Sequence, residues 1–141
     1  MGNAAMTGRA LIYHDLAQAD RVLALADQLG QPVVLLTAPG AAAYGGPDHY
    51  LRIVELARRD RPEVSVEAIL DCGDDAGIAQ MALRLGWRSL VLKGKRAVRD
   101  KLRQIAERDN ARILARPPKA LDLNVPDGEI EGQCRAAWKL T

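Results

Sequence analysis

The residues best suited to chemistry in this chain stand where short apolar runs break off into small or polar residues. Asp71 is the foremost. It closes the run Glu67-Ala-Ile-Leu-Asp71 and is followed by Cys72, Gly73, Asp74 and Asp75. A carboxylate at the end of a strand has the chemistry of an acid, a base, a metal ligand or a phosphoacceptor. Its structural alternative is to hydrogen-bond the turn backbone, which Asp side chains do often. Cys72 offers a thiol that a helix N-terminus would activate and that three neighbouring carboxylates would suppress. His14, beside Asp15, ends another apolar run, Ala10-Leu-Ile-Tyr13. An acid/base pair needs the two side chains to meet, whereas adjacent residues on a strand point to opposite faces. Asp71, His14 and Cys72 are therefore the candidate catalytic residues, with a structural role as the competing reading for each.

A second set of residues is suited to holding a ligand. Thr37 ends the run Pro32-Val-Val-Leu-Leu-Thr37 and opens the glycine-rich loop Ala38 to Gly46, with Gly40 near its start and Tyr44 at its tip. Tyr44 either closes over a ligand or packs down as a tether. Gly73 supplies a backbone angle that other residues resist. Lys93 and Lys95 flank Gly94 and lead into Arg96, Arg99, Lys101 and Arg103. Cations at a helix start oppose the macrodipole, unless an anion is held there by lysine and backbone N–H groups together; the alternative is a solvated basic face. Arg116 follows the last apolar run. Thr37, Gly40, Tyr44, Gly73, Lys93, Lys95 and Arg116 are the ligand-binding candidates, and the ligand they suit is a small phosphorylated or carboxylated metabolite. The loop matches neither the phosphate-cradling P-loop nor the dinucleotide fingerprint. No metal-ligand set is read and no cofactor is specified. His49, in the first turn of a helix, reads as a surface residue.

The elements that must position these residues follow from periodicity. Strands are expected at Ala10–Tyr13, Pro32–Thr37, Val64–Leu70, Ser89–Leu92 and Ala111–Leu114. Between them, apolar residues recur at spacings of three and four, the mark of amphipathic helices. Leu16, Ala19, Val22, Leu23, Ala26 and Leu29 form the first inner face, Tyr50, Ile53, Val54 and Ala57 the second. Ile78, Met81, Ala82 and Leu85 form the third, Val98, Leu102, Ile105 and Ala106 the fourth. Asp15 and Asp74 or Asp75 suit N-caps, Gly30, Gly86 and Asn110 suit left-handed C-terminal positions, and Pro47 suits a first helical residue. This alternation predicts an α/β fold: a three-layer sandwich on a five-stranded parallel sheet, of order 2-1-3-4-5 or else 3-2-1-4-5, Rossmann-like or flavodoxin-like in layout. Parallel strands bring their carboxyl ends to one edge, where such folds bind ligands.

Residues 1–8 read as a loose leader and residues 9–115 as a single α/β domain. Residues 116–141 read as an irregular crossing segment and a short helix, with Ile130, Cys134, Ala137 and Trp138 on one side. That helix docks on the same core or on a partner subunit, so a homodimer is one expectation. The chain has 141 residues, a net charge of +2 and no Phe, which suits one core of small side chains. Its charge balance and lack of interleaved aromatics speak against nucleic acid. Two cysteines make no disulfide framework, and no apolar stretch approaches the length that spans a bilayer. A cytoplasmic protein with no membrane contact is expected.

Two families resemble parts of this pattern. Leu70-Asp-Cys-Gly73, Ala82 to Gly86 and Ser89-Leu-Val-Leu-Lys-Gly94 together resemble one βαβ unit of class II aldolases, which reads Leu-Asp-His-Gly, a helix ending near Ala-x-x-x-Gly, and a strand beginning Ser-Val. The resemblance covers residues 70–94 and implies that Asp71 is the acid/base group. The family's metal-binding His position is Cys72 here, and five strands are fewer than that family's barrel holds. The layout also resembles the receiver domains of response regulators: Asp71 falls near the phosphoacceptor, Asp15 matches an early acid, and Arg116-Pro117 is similar to that family's Lys-Pro. His14 stands where a second acid belongs, and Lys93 where Ser or Thr belongs. Two functions are expected from these readings: a lyase- or isomerase-like metabolite site at the strand ends, or a non-catalytic regulatory or interaction module.

Overall fold

A computed structural model describes residues 9–140. The leader read over residues 1–8 lies outside the described residues. The elements are β1 (Ala10–Ile12), α1 (Leu16–Leu29), β2 (Val33–Leu36), α2 (Ala41–Gly45), α3 (Pro47–Arg58), β3 (Val66–Asp71), α4 (Ala76–Leu85), β4 (Ser89–Val91), α5 (Arg96–Glu107), β5 (Arg112–Leu114), β6 (Ala120–Asp122), a 3-10 turn (Asp127–Glu129) and α6 (Ile130–Ala137).

Local chemistry accounts for the element ends. Asp15 Oδ1 accepts from the Gln18 N–H and Asp75 Oδ1 from the Ile78 N–H, so each carboxylate satisfies an N–H that the helix leaves without an internal partner. Gly30 and Gly86 close α1 and α4 in the left-handed region, and Asn110 adopts it after α5. The glycine-rich loop differs from expectation, because Ala41 to Gly45 wind into the short helix α2.

The sheet has six strands in the order β5-β4-β3-β2-β1-β6. The β1–β2, β1–β6, β3–β4 and β4–β5 pairings are parallel. Five strands in the order 2-1-3-4-5 or 3-2-1-4-5 were expected, and both the count and the orders are corrected. The sixth strand lies in the segment read as irregular, where Ala120, Leu121 and Asp122 pair with Ala10, Leu11 and Ile12. Its apolar run is only Ala120-Leu121 and stands between Pro117-Pro118 and Pro126, neighbours that mark loop rather than strand. A doubly wound or receiver-like sheet reverses its strand order at a switch point, whereas β1 to β5 run here in sequence order.

The chain forms two compact units. The first comprises the described parts of Met1–Leu36, Ile53–Glu67 and Pro118–Thr141; the second comprises Thr37–Arg52 and Ala68–Pro117. In the first, α6 packs on α1, and Leu11, Tyr13, Leu23, Leu35 and Leu123 are fully buried. In the second, α4 packs on α5 around Leu70, Ala82, Trp87, Leu90, Leu92 and Leu102. The indole of Trp87 donates to the Pro47 carbonyl at 3.0 Å, which satisfies the one polar atom of a buried aromatic.

Three helices depart from the inner faces expected of them: on α1 the first residue, Leu16, is exposed, and α4 and α5 turn a different edge of their apolar stripe inward. The buried residues of α4 are Ala79, Ala82 and Leu83, while Met81 and Leu85 are exposed. Those of α5 are Leu102 and Ala106, with Val98 and Ile105 exposed. The stripe is broad, and the alanines permit the closer approach. Among the described residues no helix is long and apolar enough to cross a membrane.

Candidate functional site

Asp71 is the last residue of β3 and is only 1% exposed. Its N–H donates to Thr37 Oγ at 2.8 Å. Its Oδ1 accepts from the Gly73 N–H at 2.9 Å and the Gly40 N–H at 3.1 Å. Its Oδ2 is buried and has no hydrogen-bond partner among the described residues. One oxygen therefore organises the turn, as Asp does in loops, and the other is left without an occupation. A buried polar atom without a partner costs about 1–3 kcal/mol, so this oxygen stands out in the second unit.

The backbone around it is tightly drawn. Thr37 is buried and its N–H donates to the Ile69 carbonyl at 3.1 Å. Gly40 and Gly73 both lie in the left-handed region, and a Cβ on Gly73 would come 3.7 Å from the Gly40 Cα. Space alone would admit that atom; the positive φ of +59° is what resists it. The Lys93 N–H donates to the Gly73 carbonyl at 2.7 Å, which ties the segment after β4 to the Asp71 turn.

Lys93 and Lys95 are exposed. Lys95 occupies the N-cap of α5 without a side-chain cap hydrogen bond, and the first turn of α5 holds no acid. The free N–H groups of that turn and the two ammonium groups make this the electropositive end of the unit. Behind them, Arg99 donates through Nη1 to the Gly94 carbonyl at 3.2 Å. Its Nε is buried without a partner among the described residues. Arg116 is exposed two residues beyond β5, and Tyr44 stands 88% exposed on α2, neither tethered nor folded down. The structure thus brings together Thr37, Gly40, Asp71, Gly73 and the Lys93 backbone by hydrogen bonds, and draws neither Tyr44 nor Arg116 into that network.

Cys72 does not suit a nucleophile. It is 2% exposed and belongs to the core cluster with Leu70 and Leu92. Burial first, and then the charges of Asp71 and Asp75, push its thiol up to about 12. A thiol held neutral and covered is an inert one. The same observation bears on a metal: a buried neutral thiol at the position of the aldolases' metal-binding His is a poor ligand. Among the described residues no three His, Cys, Asp or Glu side chains converge on a common point. The residues present do not fit a metal centre.

His14 belongs to the first unit, and its partner is not Asp15, whose carboxylate is occupied as the cap of α1. His14 Nε2 instead lies 2.6 Å from Asp122 Oδ1, at the end of β6. Asp122 went unread in the sequence. The available signal was an acid directly after Ala120-Leu121, a short echo of Asp71 after Ile69-Leu70.

Comparison with known proteins adds a weak bearing. No known family profile matches the chain. The chain is 25% identical over 81 residues to a plasmid-encoded fructose-bisphosphate aldolase of Cupriavidus necator; the match covers 57% of this chain and 24% of that protein. The crystal structure of a proposed fructose-1,6-bisphosphate aldolase from Coccidioides immitis superposes with a TM-score of 0.64 at 17% identity. It covers 79% of this chain and 42% of the other. The chain thus spans about a quarter of the length of the curated relative and under half of the structural neighbour. The structural likeness is one of fold. With the βαβ pattern of residues 70–94, the sequence match gives a weak, local resemblance to fructose-bisphosphate aldolases.

Proposed function

We propose that the strand-end region of the second unit binds a small phosphorylated or carboxylated metabolite, with Asp71 exchanging a proton with it in a lyase- or isomerase-type step. The observation that carries this reading is the buried, unpartnered Oδ2 of Asp71, held in place by the two backbone N–H groups on Oδ1. A ligand hydroxyl would give that oxygen the donor the protein withholds, and Asp71 in its ionised form would take the proton. Lys93 and Lys95 would hold the anionic group at the uncapped start of α5. The aldolase names of the relatives favour a lyase over an isomerase.

Thermal denaturation in the presence of sugar phosphates and organic acids tests the reading. A ligand at about a hundred times its Kd adds about 2.7 kcal/mol to stability. The shift should vanish in Lys93→Ala and in Asp71→Asn. A screen with no shift from any anion, together with an unchanged Lys93→Ala, argues for abandoning it.

The alternative function is a non-catalytic interaction module. It is favoured by the exposed apolar residues Tyr44, Met81, Leu85, Val98 and Ile105 of the second unit, side chains of the kind that a second copy would cover. Light scattering of the full chain and of Met81→Asp separates the two readings. A concentration-dependent dimer lost in the variant supports the module, and a strict monomer in both removes it.

A further inference from the structure

We propose that His14 and Asp122 of the first unit form an acid–base dyad whose free imidazole nitrogen takes a proton from an uncharged hydroxyl compound, an alcohol or a water. The chemistry follows from one contact. Asp122 Oδ1 lies 2.6 Å from His14 Nε2. An ionised carboxylate only accepts, and a neutral imidazole carries one N–H. The carboxylate therefore fixes that proton on Nε2 and leaves the lone pair on Nδ1, which has no partner among the described residues. When Nδ1 takes a proton, the same carboxylate keeps the ring oriented, the role an orienting Asp plays behind a catalytic His.

The pair is built rather than incidental. Parallel pairing sets Ile12 opposite Asp122 and so delivers His14 to the end of the neighbouring strand. Asp122 Oδ1 also accepts from the Asn124 N–H at 2.8 Å. The Gln133 side chain, from α6, donates to the Asp122 carbonyl at 2.9 Å. The Gln18 side chain, from α1, accepts from the His14 N–H at 2.8 Å and donates to the Leu123 carbonyl at 3.2 Å. Two glutamines from helices that pack on each other thus hold both members through their backbones. As a strut the pair has little value: its side chains are 34% and 52% exposed, and ion pairs this accessible contribute about 0–1 kcal/mol.

The surroundings select the substrate class. Among the described residues no Lys or Arg side chain bonds to either member, and Asp15 stands next to His14. The pair's own contacts therefore offer an anion no cation, in contrast to the lysine-bearing end of the second unit. The pair is also short of the three ligands a metal would need.

The probe is hydrolysis of p-nitrophenyl acetate by the full chain. Nδ1 takes one proton from a water whose oxygen adds to the acetyl carbonyl, p-nitrophenolate departs with its electron pair, the acetic acid left behind gives its own proton to solvent as it ionises to acetate, and the imidazolium returns the first proton to solvent. The chain holds only two histidines, so His49→Gln is an internal control. His14→Gln keeps an N–H for Asp122 while removing the basic nitrogen. General-base assistance contributes about a hundredfold or more where it operates, so His14→Gln should lower the rate at least about tenfold at an unchanged melting temperature, and His49→Gln should leave it intact. A wild-type rate in His14→Gln, or a loss confined to His49→Gln, overturns the proposal. Nitrogen NMR of the imidazole gives a readout that a strut would not move. The wild type should hold the proton on Nε2 and Asp122→Asn should mix the tautomers; a wild-type tautomer with Nδ1 protonated also overturns it. Should His14→Gln fail to fold, diethyl pyrocarbonate mapped by mass spectrometry on the wild type decides: His14 must react faster than His49, and an equal or slower reaction counts against the dyad.

Discussion

Each unit sets an aspartate at the end of a strand with two partners on one carboxylate oxygen, and the two differ in burial. Asp122 is half in solvent, with His14 and the Asn124 N–H on Oδ1. Asp71 is sealed, with two backbone N–H groups on one oxygen and nothing on the other. An exposed carboxylate that lacks a partner finds water at no cost, so an orphan there carries no information. A buried one cannot, so an orphan there points to a missing donor. The exposed pair is informative for a different reason: its geometry is more closely fixed than its small contribution to stability requires. Burial thus decides which kind of observation counts as a sign of function. The units are otherwise matched, with one tryptophan, one buried cysteine and one Asp-capped helix start in each.

That matching gives several ways to break or sharpen the comparison. The largest effect should come from Trp87→Ala, which empties the centre of the second core and strands the Pro47 carbonyl; a loss of about 3–5 kcal/mol is expected in urea denaturation. Fluorescence of Trp138 reports on the first unit in this variant, and an early transition absent from Trp138 would show that the units unfold separately. Thr37→Val removes the acceptor of the Asp71 N–H and should cost about 1–3 kcal/mol. Asp71→Asn keeps Oδ1 and removes a buried charge, so it should abolish ligand binding with little or no loss of stability. A marked loss of stability in Asp71→Asn would mean that the carboxylate is structural.

The cysteines extend the comparison to pH. Burial is the leading cause that pushes both Cys72 and Cys134 from 9.0 up to about 12. A group that holds its proton more tightly when folded adds stability below its unfolded value and forfeits it as the pH climbs through its folded value. Urea midpoints should therefore hold steady up to about pH 9 and fall between about pH 9 and about pH 12, with a smaller fall in Cys72→Ala and in Cys134→Ala. A fall unchanged by either substitution would assign it to other groups. The smallest effects concern helix starts. Asp15→Ala and Asp75→Ala should each cost about 1 kcal/mol. Lys95→Ser, which gives α5 the cap it lacks, should stabilise the protein by a similar amount while weakening any bound anion. Stabilisation without loss of anion binding would remove Lys95 from the site.

The legible part of this protein was local. Asp15, Asp75, Gly30, Gly86 and Asn110 stand at the helix ends read for them, because a cap bonds within three or four residues of itself. Asp71 was read at the end of β3 for the same reason: an apolar run followed by a glycine turn is written in adjacent residues. Asp122 was missed because β6 stands in a proline-rich stretch and is held by pairing with β1, more than a hundred positions earlier in the chain. Met81, Leu85, Val98 and Ile105 were assigned inward because periodicity gives the width of an apolar stripe and not the edge on which a sheet will press.

By itself the sequence determined that helices and parallel strands alternate, where most of them start and stop, and which side chains stand at strand ends. Tertiary structure alone decided that the strands run in sequence order with a sixth beside the first. It alone decided that His14 meets Asp122 rather than Asp15, and that one oxygen of Asp71 is sealed away without a donor. The division has a physical cause. Propensity, capping and turn chemistry act over one helical turn of chain. Pairing partners, burial and the completeness of a hydrogen-bond set depend on residues brought together from afar, and no local pattern records them.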